Sequence, residues 1–255
     1  MSASLSITSL FTDATARFLA LFYPDLCQIC RSQKATSAES YLCQSCRTGK
    51  EGIKPIEPPF CNCCGLPFEG EITVTFECSN CHEQELHFRH ARAAAEFSGV
   101  VKETIHRFKY NHAMWFEPFL GELITAAAQQ DLATEKWDYI VPIPLHWRRR
   151  HQRTFNQSER IARRLSKATG IPLQPKLLKR IKPTHTQTRL SRAERTENVK
   201  RAFAYSGKQT LDGANIILID DVLTTGATAS ACAKLLKQNG ADLVDVWTVA
   251  RGLWK

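Results

Sequence analysis

The 255-residue sequence is informative first in what it has little of. It contains no run of 18 or more apolar residues, so no membrane-spanning helix is expected. The opening stretch, MSASLSITSLFTDATARFLALFYPDLC, has an apolar patch but neither a basic leader segment nor a small-residue cleavage site. It reads as a short amphipathic helix over residues 12–22 that packs on the body of the protein. Its polar face carries too little positive charge for a membrane-surface helix, and a cytoplasmic location is expected. Beyond paired cysteines there is no internal repeat, and no low-complexity segment is present.

Acidic side chains are scarce in one long stretch. The net charge is +9, yet residues 146–201 alone hold 17 Lys/Arg against 3 Asp/Glu. Residues 1–90 lean the other way, with 7 basic and 10 acidic residues. A basic block of this kind attracts phosphates, on a small molecule or on a nucleic acid, although charge runs also serve as plain solvated faces. Apolar residues make up 43% of the chain, enough for a sizeable core.

Eight of the ten cysteines form four C-x-x-C pairs: Cys27/Cys30, Cys43/Cys46, Cys61/Cys64 and Cys78/Cys81. In a chain with no secretory leader, pairs at this spacing point to zinc rather than disulfides. A C-x-x-C turn presents two thiolates to one tetrahedral ion, and a second pair completes the shell. The intervals favour two sequential sites, Cys27–Cys30–Cys43–Cys46 and Cys61–Cys64–Cys78–Cys81; an interleaved pairing of first with third is the alternative. Sites with four sulfur ligands have no open position, so two structural Zn²⁺ ions are expected, and their binding supplies folding free energy to a segment with little core of its own. Cys63 reads as a spare thiol, His82 as a surface histidine and Cys232 as a core residue.

The expected organisation is an N-terminal helix within 1–26, a zinc module at 27–88 and an α/β domain at 89–255. HEQELHFRH (82–90) reads as a linker. ARAAAEFS then reads as a strand, GVVKETIHRFKY and FEPFLGELITAAAQQ as helices, and WDYIVPIPLHW as a strand. FNQSERIARRLSKATG has helical spacing and a terminal glycine. A strand is expected near LLKRIK, followed by a polar stretch at 183–203, the strand NIILID, the helix GATASACAKLLKQNG and the strand DLVDVWTVA. Strands alternating with helices predict a parallel sheet with helices on both faces.

The stretch IILIDDVLTTGAT (216–228) carries most of the chemistry. In a parallel sheet, ligands bind at the carboxyl ends of strands. Asp220 and Asp221 stand at such an end, and Thr224, Thr225, Gly226, Ala227 and Thr228 lead into a helix. The first amides of a helix lack internal partners and carry the positive end of its dipole, so a phosphate is their natural ligand. Carboxylates beside a phosphate need another task, and sugar hydroxyls and Mg²⁺ are what they hold well. Phosphate at one end and a diol with metal at the other match a ribose 5-phosphate.

This pattern resembles the phosphoribosyl pyrophosphate (PRPP) motif of type I phosphoribosyltransferases. Four C-x-x-C pairs, then FKY, VPIPLHWRRRHQRTFNQ, TQTRLSRAERTENVKRAF and the PRPP loop together resemble the competence protein F family over nearly the whole chain. The family's usual R-G-F-N-Q stands here as Arg153-Thr154-Phe155-Asn156-Gln157. With Thr154 in place of glycine, the turn before that helix is expected to be looser. The resemblance implies a phosphoribosyltransferase-like fold, PRPP and Mg²⁺ as ligands, and a role in DNA uptake with single-stranded DNA and other competence proteins as partners. It places the diphosphate loop at Pro144, Leu145 and His146, with Arg148, Arg149 and Arg150 just beyond. It makes residues 186–198, with Arg189, Arg192 and Arg195, a loop that closes over PRPP. Asp220, Asp221, Arg189 and Arg195 are the candidate catalytic residues; Lys109 in FKY serves the site or the surface equally well.

The implied reaction displaces pyrophosphate from C1 of PRPP by a nitrogen nucleophile. Where purine-salvage relatives carry an aspartate for the base proton, this chain has Thr224, which is no general base at neutral pH. Three readings compete: a phosphoribosyltransferase, a non-catalytic PRPP-sensing protein that binds single-stranded DNA, and a zinc-braced scaffold. Trp147 and Phe155 within the basic block would serve the second as stacking platforms, but read better as core or loop anchors. The intact acids and threonines weigh against the third.

Overall fold

The computed structural model describes residues 25–68, 70, 76–146, 153–182, 202–208 and 210–253. The helix expected at 12–22, Trp147, Arg148, Arg149 and Arg150, and the segment 186–198 with Arg189, Arg192 and Arg195 lie outside them. The described elements are α1 (Gln44–Thr48), α2 (Ser79–His82), β1 (Ala91–Glu96), α3 (Gly99–Tyr110), α4 (Glu117–Leu132), β2 (Tyr139–Pro142), α5 (Gln157–Thr169), β3 (Leu178–Arg180), β4 (Phe203–Tyr205), β5 (Ile216–Leu223), α6 (Ala227–Gln238) and β6 (Val244–Arg251). The protein is α/β, with a parallel sheet of order β1-β6-β5-β2 and two four-cysteine clusters ahead of it.

The central strands are apolar on both faces because both faces are covered. Every residue of β6 is buried, and β5 buries Ile216, Ile217, Leu218 and Ile219 completely. Helices α3, α4 and α5 cover one face through Val101, Ile105, Phe108, Leu120, Ile124, Ile161 and Leu165. Helix α6 covers the other through Ala229, Cys232, Ala233 and Leu236. Cys232 is thus a core residue, as its helical spacing suggested. Phe155 packs its ring 5.0 Å from that of Phe108, so it is a core anchor rather than an open stacking platform.

One expectation is corrected. The strand near LLKRIK does not join the parallel sheet: β3 pairs antiparallel with β4 in a separate two-stranded sheet. Only Leu178 of its three residues is fully buried. Lys179 is exposed and Arg180 half-buried, which suits a strand at the surface rather than one covered on both faces. Its partner β4 lies at the end of the stretch read as polar, where Phe203 supplies the buried contact.

The cysteine ribbons pack onto this body. Cys27, Leu42 and Cys43 share one core with α3 and α4, Arg47 stacks over Phe119 at 4.9 Å, and Arg107 donates to the carbonyl of Gln28. The chain at 54–56 pairs antiparallel with the outer edge of β1, Ile56 N–H donating to Ala94 and Glu96 N–H to Lys54. On the other side, Leu173 bridges to Ile140 of β2. Both edges of the sheet are therefore closed to further pairing. The stretch 82–90 is also tied down: Arg89 makes ion pairs with Asp245 at 2.8 Å and Glu135 at 2.7 Å, and Phe88 is buried against the α6 face.

The turn before α5 keeps a glycine-type backbone despite its threonine. Thr154 has φ +64°, a conformation that is costly for a β-branched residue. The turn is not looser, as the substitution suggested; the backbone holds its geometry and the side chain is strained. Thr154→Gly should therefore raise stability by about 1 kcal/mol, after the extra unfolded-state entropy of glycine is deducted. Thermal unfolding should show Tm rising by roughly 2–4 °C; an unchanged or lower Tm would mean that the threonine is not strained.

Candidate functional site

Each four-cysteine cluster has the geometry of a closed tetrahedral zinc centre. The Sγ atoms within each lie within 4.8 Å of one another and pair sequentially, Cys27–Cys30–Cys43–Cys46 and Cys61–Cys64–Cys78–Cys81. The Sγ–Sγ separations include 3.7 Å for Cys27–Cys46, 3.8 Å for Cys30–Cys43, 3.7 Å for Cys61–Cys81 and 3.5 Å for Cys64–Cys78. Four sulfurs at 2.3 Å from one ion would stand about 3.8 Å apart, so both cages fit Zn²⁺. Backbone N–H groups of Cys43 and Cys78 point at Sγ of Cys27 and Cys61, at 3.4 and 3.3 Å, which suits thiolate acceptors. His82 is exposed and outside the second cluster. Cys63 lies half-buried beside that cluster but is not part of it.

The carboxyl end of β5 opens onto a cavity of about 500 Å³. Strand β5 runs through Asp220 and Asp221 to Leu223, so the acids sit within its last turns of ladder rather than beyond it. Asp221 is 7% exposed and its Oδ1 lies 2.7 Å from Nζ of Lys109 at the end of α3. Asp220 accepts hydrogen bonds from the Ser158 hydroxyl at 2.8 Å and from the Asp221 N–H at 2.9 Å. Ser158 is placed by the start of α5, where the Asn156 side chain caps the helix by accepting from Ser158 N–H and donates to the Ile143 carbonyl. Burial, and then the charge of Asp221, push the Asp220 carboxyl up to about 6, against the opposing pull of Lys109 and Ser158.

The loop after β5 turns sharply at Gly226, φ +82°, which is the N-cap of α6. A Cβ there would meet Phe88 and Leu86 at ordinary contact distance, 3.4 and 3.6 Å, so it is the left-handed backbone that calls for glycine. Thr224, Gly226, Ala227 and Thr228 line the cavity. Thr225 does not: it is buried and its Oγ1 accepts from Ala227 N–H at 3.3 Å, closing the turn from behind. The first amides of α6 have no partner inside the helix and carry its positive dipole end. Pro144 and Leu145 line the cavity as well, whereas His146 is buried outside the lining.

The structure places Lys109, which the sequence left between site and surface, on the cavity wall, and adds neighbours that the sequence reading did not assign to the site. Lys102, His106, Lys109 and Tyr110 form one side of α3 along the cavity, and Arg153 and Arg180 lie on its wall. The Arg153 guanidinium stacks over Tyr110 at 4.7 Å. The signal was present as a helical i, i+4, i+7, i+8 stripe within GVVKETIHRFKY. It was unreadable without knowing that this face of the helix meets the end of β5.

A family model described as a double zinc ribbon domain matches residues 18–84. Competence protein F of Haemophilus influenzae is 30% identical over 218 residues, covering 84% of this chain and 92% of that protein. DNA utilization protein YhgH of Escherichia coli strain K12 is 30% identical over 237 residues, covering 91% of this chain and all of that protein (100%). Competence protein ComFC of Bacillus subtilis strain 168 is 28% identical over 245 residues, with 89% and 95% coverage. Among solved structures, a purine phosphoribosyltransferase from Pyrococcus horikoshii aligns over 52% of this chain and 83% of its own, at a TM-score of 0.35 and 18% identity. No helix among the described residues is long and apolar enough to cross a membrane.

The raised Asp220 pKa makes a testable statement about stability. Its folded value, about 6, exceeds its ordinary value of 3.8, so the folded protein holds this proton more tightly than the unfolded chain. Folding stability from this group is complete below pH 4 and is lost as pH rises towards and through 6. Asp220→Asn removes the penalty. At pH 7 without ligand, the variant should be more stable by roughly 1–3 kcal/mol, and the difference should vanish near pH 4. Urea unfolding at the two pH values checks this; an equal gain at both would assign the effect to something other than ionisation.

Proposed function

The chain belongs to the competence protein F family, and on that premise we propose that it binds PRPP with Mg²⁺ at the β5–α6 junction and transfers phosphoribose to a nitrogen acceptor in the handling of imported DNA. The observation that carries this reading is the placement of Asp220 and Asp221 beside the N-terminus of α6, within one cavity. The α6 amides with Thr224 and Thr228 take the 5-phosphate, and Gly226 lets the backbone come close. Asp220 and Asp221 take the ribose hydroxyls, with Lys109 and Ser158 holding the two carboxylates in place. The oxygen-only donor set of the acids suits Mg²⁺, which when bound neutralises diphosphate charge. Pro144 and Leu145 carry the diphosphate loop, and Arg153 stands on the same wall. Arg148, Arg189 and Arg195 belong to this proposal as further diphosphate contacts, Arg189 and Arg195 from a loop that closes over the sugar and excludes water.

In the step itself the C1–oxygen bond to pyrophosphate breaks and a C1–nitrogen bond forms, with the nitrogen's proton released to solvent. The protein's part is to hold the sugar and stabilise the departing anion. Thr224, facing the cavity, supplies no base. A second reading, PRPP-dependent binding of single-stranded DNA without turnover, draws on the cationic lining of Lys102, Arg153 and Arg180 together with the basic block at 146–201.

Phosphorus NMR of PRPP with the zinc-loaded protein and Mg²⁺ tests both. It is run alone, with a nucleobase panel and with single-stranded DNA. Pyrophosphate released with one acceptor supports the transferase; PRPP resonances that broaden but stay intact support the binding protein. The double variant Asp220→Asn with Asp221→Asn should lose Mg²⁺–PRPP binding by at least about 100-fold, roughly 2.7 kcal/mol, with zinc content unchanged. Unaltered PRPP affinity in that variant would remove the acids from the ribose clamp.

A further inference from the structure

Arg251, the last residue of β6, is completely buried. Its guanidinium spans two parts of the molecule that are far apart in sequence. On one side, Nε donates to the carbonyl of Cys64 at 3.1 Å and Nη2 to the Cys64 Sγ at 3.3 Å. On the other, Nη1 donates to the carbonyls of Leu223 at 3.2 Å, Thr224 at 2.6 Å and Gly252 at 2.8 Å. Cys64 belongs to the second four-cysteine cluster, Leu223 ends β5 and Thr224 begins the loop that turns into α6.

The chain leaving that cluster makes a second connection. After Cys81 it runs to the N-terminal turn of α6, where Ser230 Oγ donates to the Glu85 carbonyl and accepts from His87 N–H, at 3.3 and 3.1 Å. Leu86 and Phe88 sit against Gly226. The first cluster packs instead on α3 and α4. Thiolates of a metal-loaded centre carry negative charge and are good acceptors for a guanidinium, whereas neutral thiols are weak ones. Arg251 therefore grips Cys64 more firmly when the metal is bound.

We infer that the second zinc centre is a positioning element of the β5–α6 loop, acting through Arg251, so that loading of this centre sets how well the loop binds an anion. Arg251 touches no ligand itself: it fixes the carbonyls of Leu223 and Thr224, and thereby the direction of the amides that follow. The consequence for PRPP affinity rests on the proposed function, but the coupling of metal centre to loop does not.

The test uses the full chain. Hydrogen exchange is followed in the peptide spanning 222–230, with 139–146 as an internal control, and PRPP affinity is measured by calorimetry with Mg²⁺. Arg251→Lys keeps the charge but cannot span both sides. Cys78→Ser weakens the second centre without altering Arg251, and Cys43→Ser weakens the first. Metal content is read by mass spectrometry. Arg251→Lys and Cys78→Ser should each speed exchange in 222–230 at least tenfold and weaken PRPP at least tenfold, while 139–146 is unchanged. Cys43→Ser should leave both within twofold. Equal loop exchange in wild type and Cys78→Ser, or equal effects of Cys43→Ser and Cys78→Ser, would overturn the coupling. If the wild type does not bind PRPP, the proposed function falls, and loop exchange alone still decides the coupling. If Arg251→Lys does not fold, the pair of cysteine variants decides it.

Discussion

A guanidinium with no exposed surface is stable only where its donors are met, and the donors of Arg251 are met by groups from three separate stretches of chain. Burying this charge is unfavourable in itself. What offsets the cost is that each arm of the guanidinium meets acceptors: Nε and Nη2 face Cys64, and the two N–H groups of Nη1 are shared among the carbonyls of Leu223, Thr224 and Gly252. The Leu223 carbonyl also accepts from Gly252 N–H at 2.8 Å, so Arg251 adds a side-chain donor where the β5–β6 ladder ends. The loop, the sheet and the second ribbon therefore share one constraint, and none can shift without leaving polar groups unpaired.

The same logic explains why the ribbons are built onto the sheet rather than hung from it. A parallel sheet of four strands has two open edges and two apolar faces. Residues 54–56 close the β1 edge, and Leu173 closes the β2 edge. The first ribbon extends the apolar core beside α3 and α4, with Cys27 and Cys43 as members of that core. The second ribbon meets the α6 face through Leu86 and Phe88. Four-sulfur centres suit this work because they rigidify short segments that have little apolar surface of their own.

Legibility in the sequence followed how local each signal was. GVVKETIHRFKY read as a helix and is α3 from its first residue to its last. Gly170 reads as a C-cap and takes the left-handed conformation that ends α5. The four C-x-x-C pairs carry their chemistry in their spacing, and the sequential pairing that the intervals favoured is the one the structure holds. The acids and the turn at Gly226 were legible for the same reason. Contacts across the fold were not. The strand expected at DLVDVWTVA stops one residue before Arg251, whose role shows only once β6 lies beside β5 with Leu223 opposite Arg251. Ser158 and the Lys102–Tyr110 stripe reach the site only because α3 and α5 lie on the same side of the sheet. Three-residue strands such as β4 carry too few positions for alternation to show.

Three costly features lie in or around one cavity, which Asp220 lines, and they arise from different physics. Asp220 ionises in a place where burial and a neighbouring carboxylate oppose it. Thr154 adopts a left-handed backbone two residues before the cap that orients Ser158 towards Asp220. Arg251 holds a buried charge behind the loop. A sequence selected for stability alone would relieve two of them with a single substitution each, an amide at 220 and a glycine at 154, whereas the buried charge of Arg251 is held by its hydrogen bonds. Positive φ is not confined to this region, since Arg31, Ser40, Tyr41, His112 and Asp212 also adopt it; what sets the end of β5 apart is that a left-handed threonine, a buried guanidinium and a carboxylate of raised pKa all lie around one cavity.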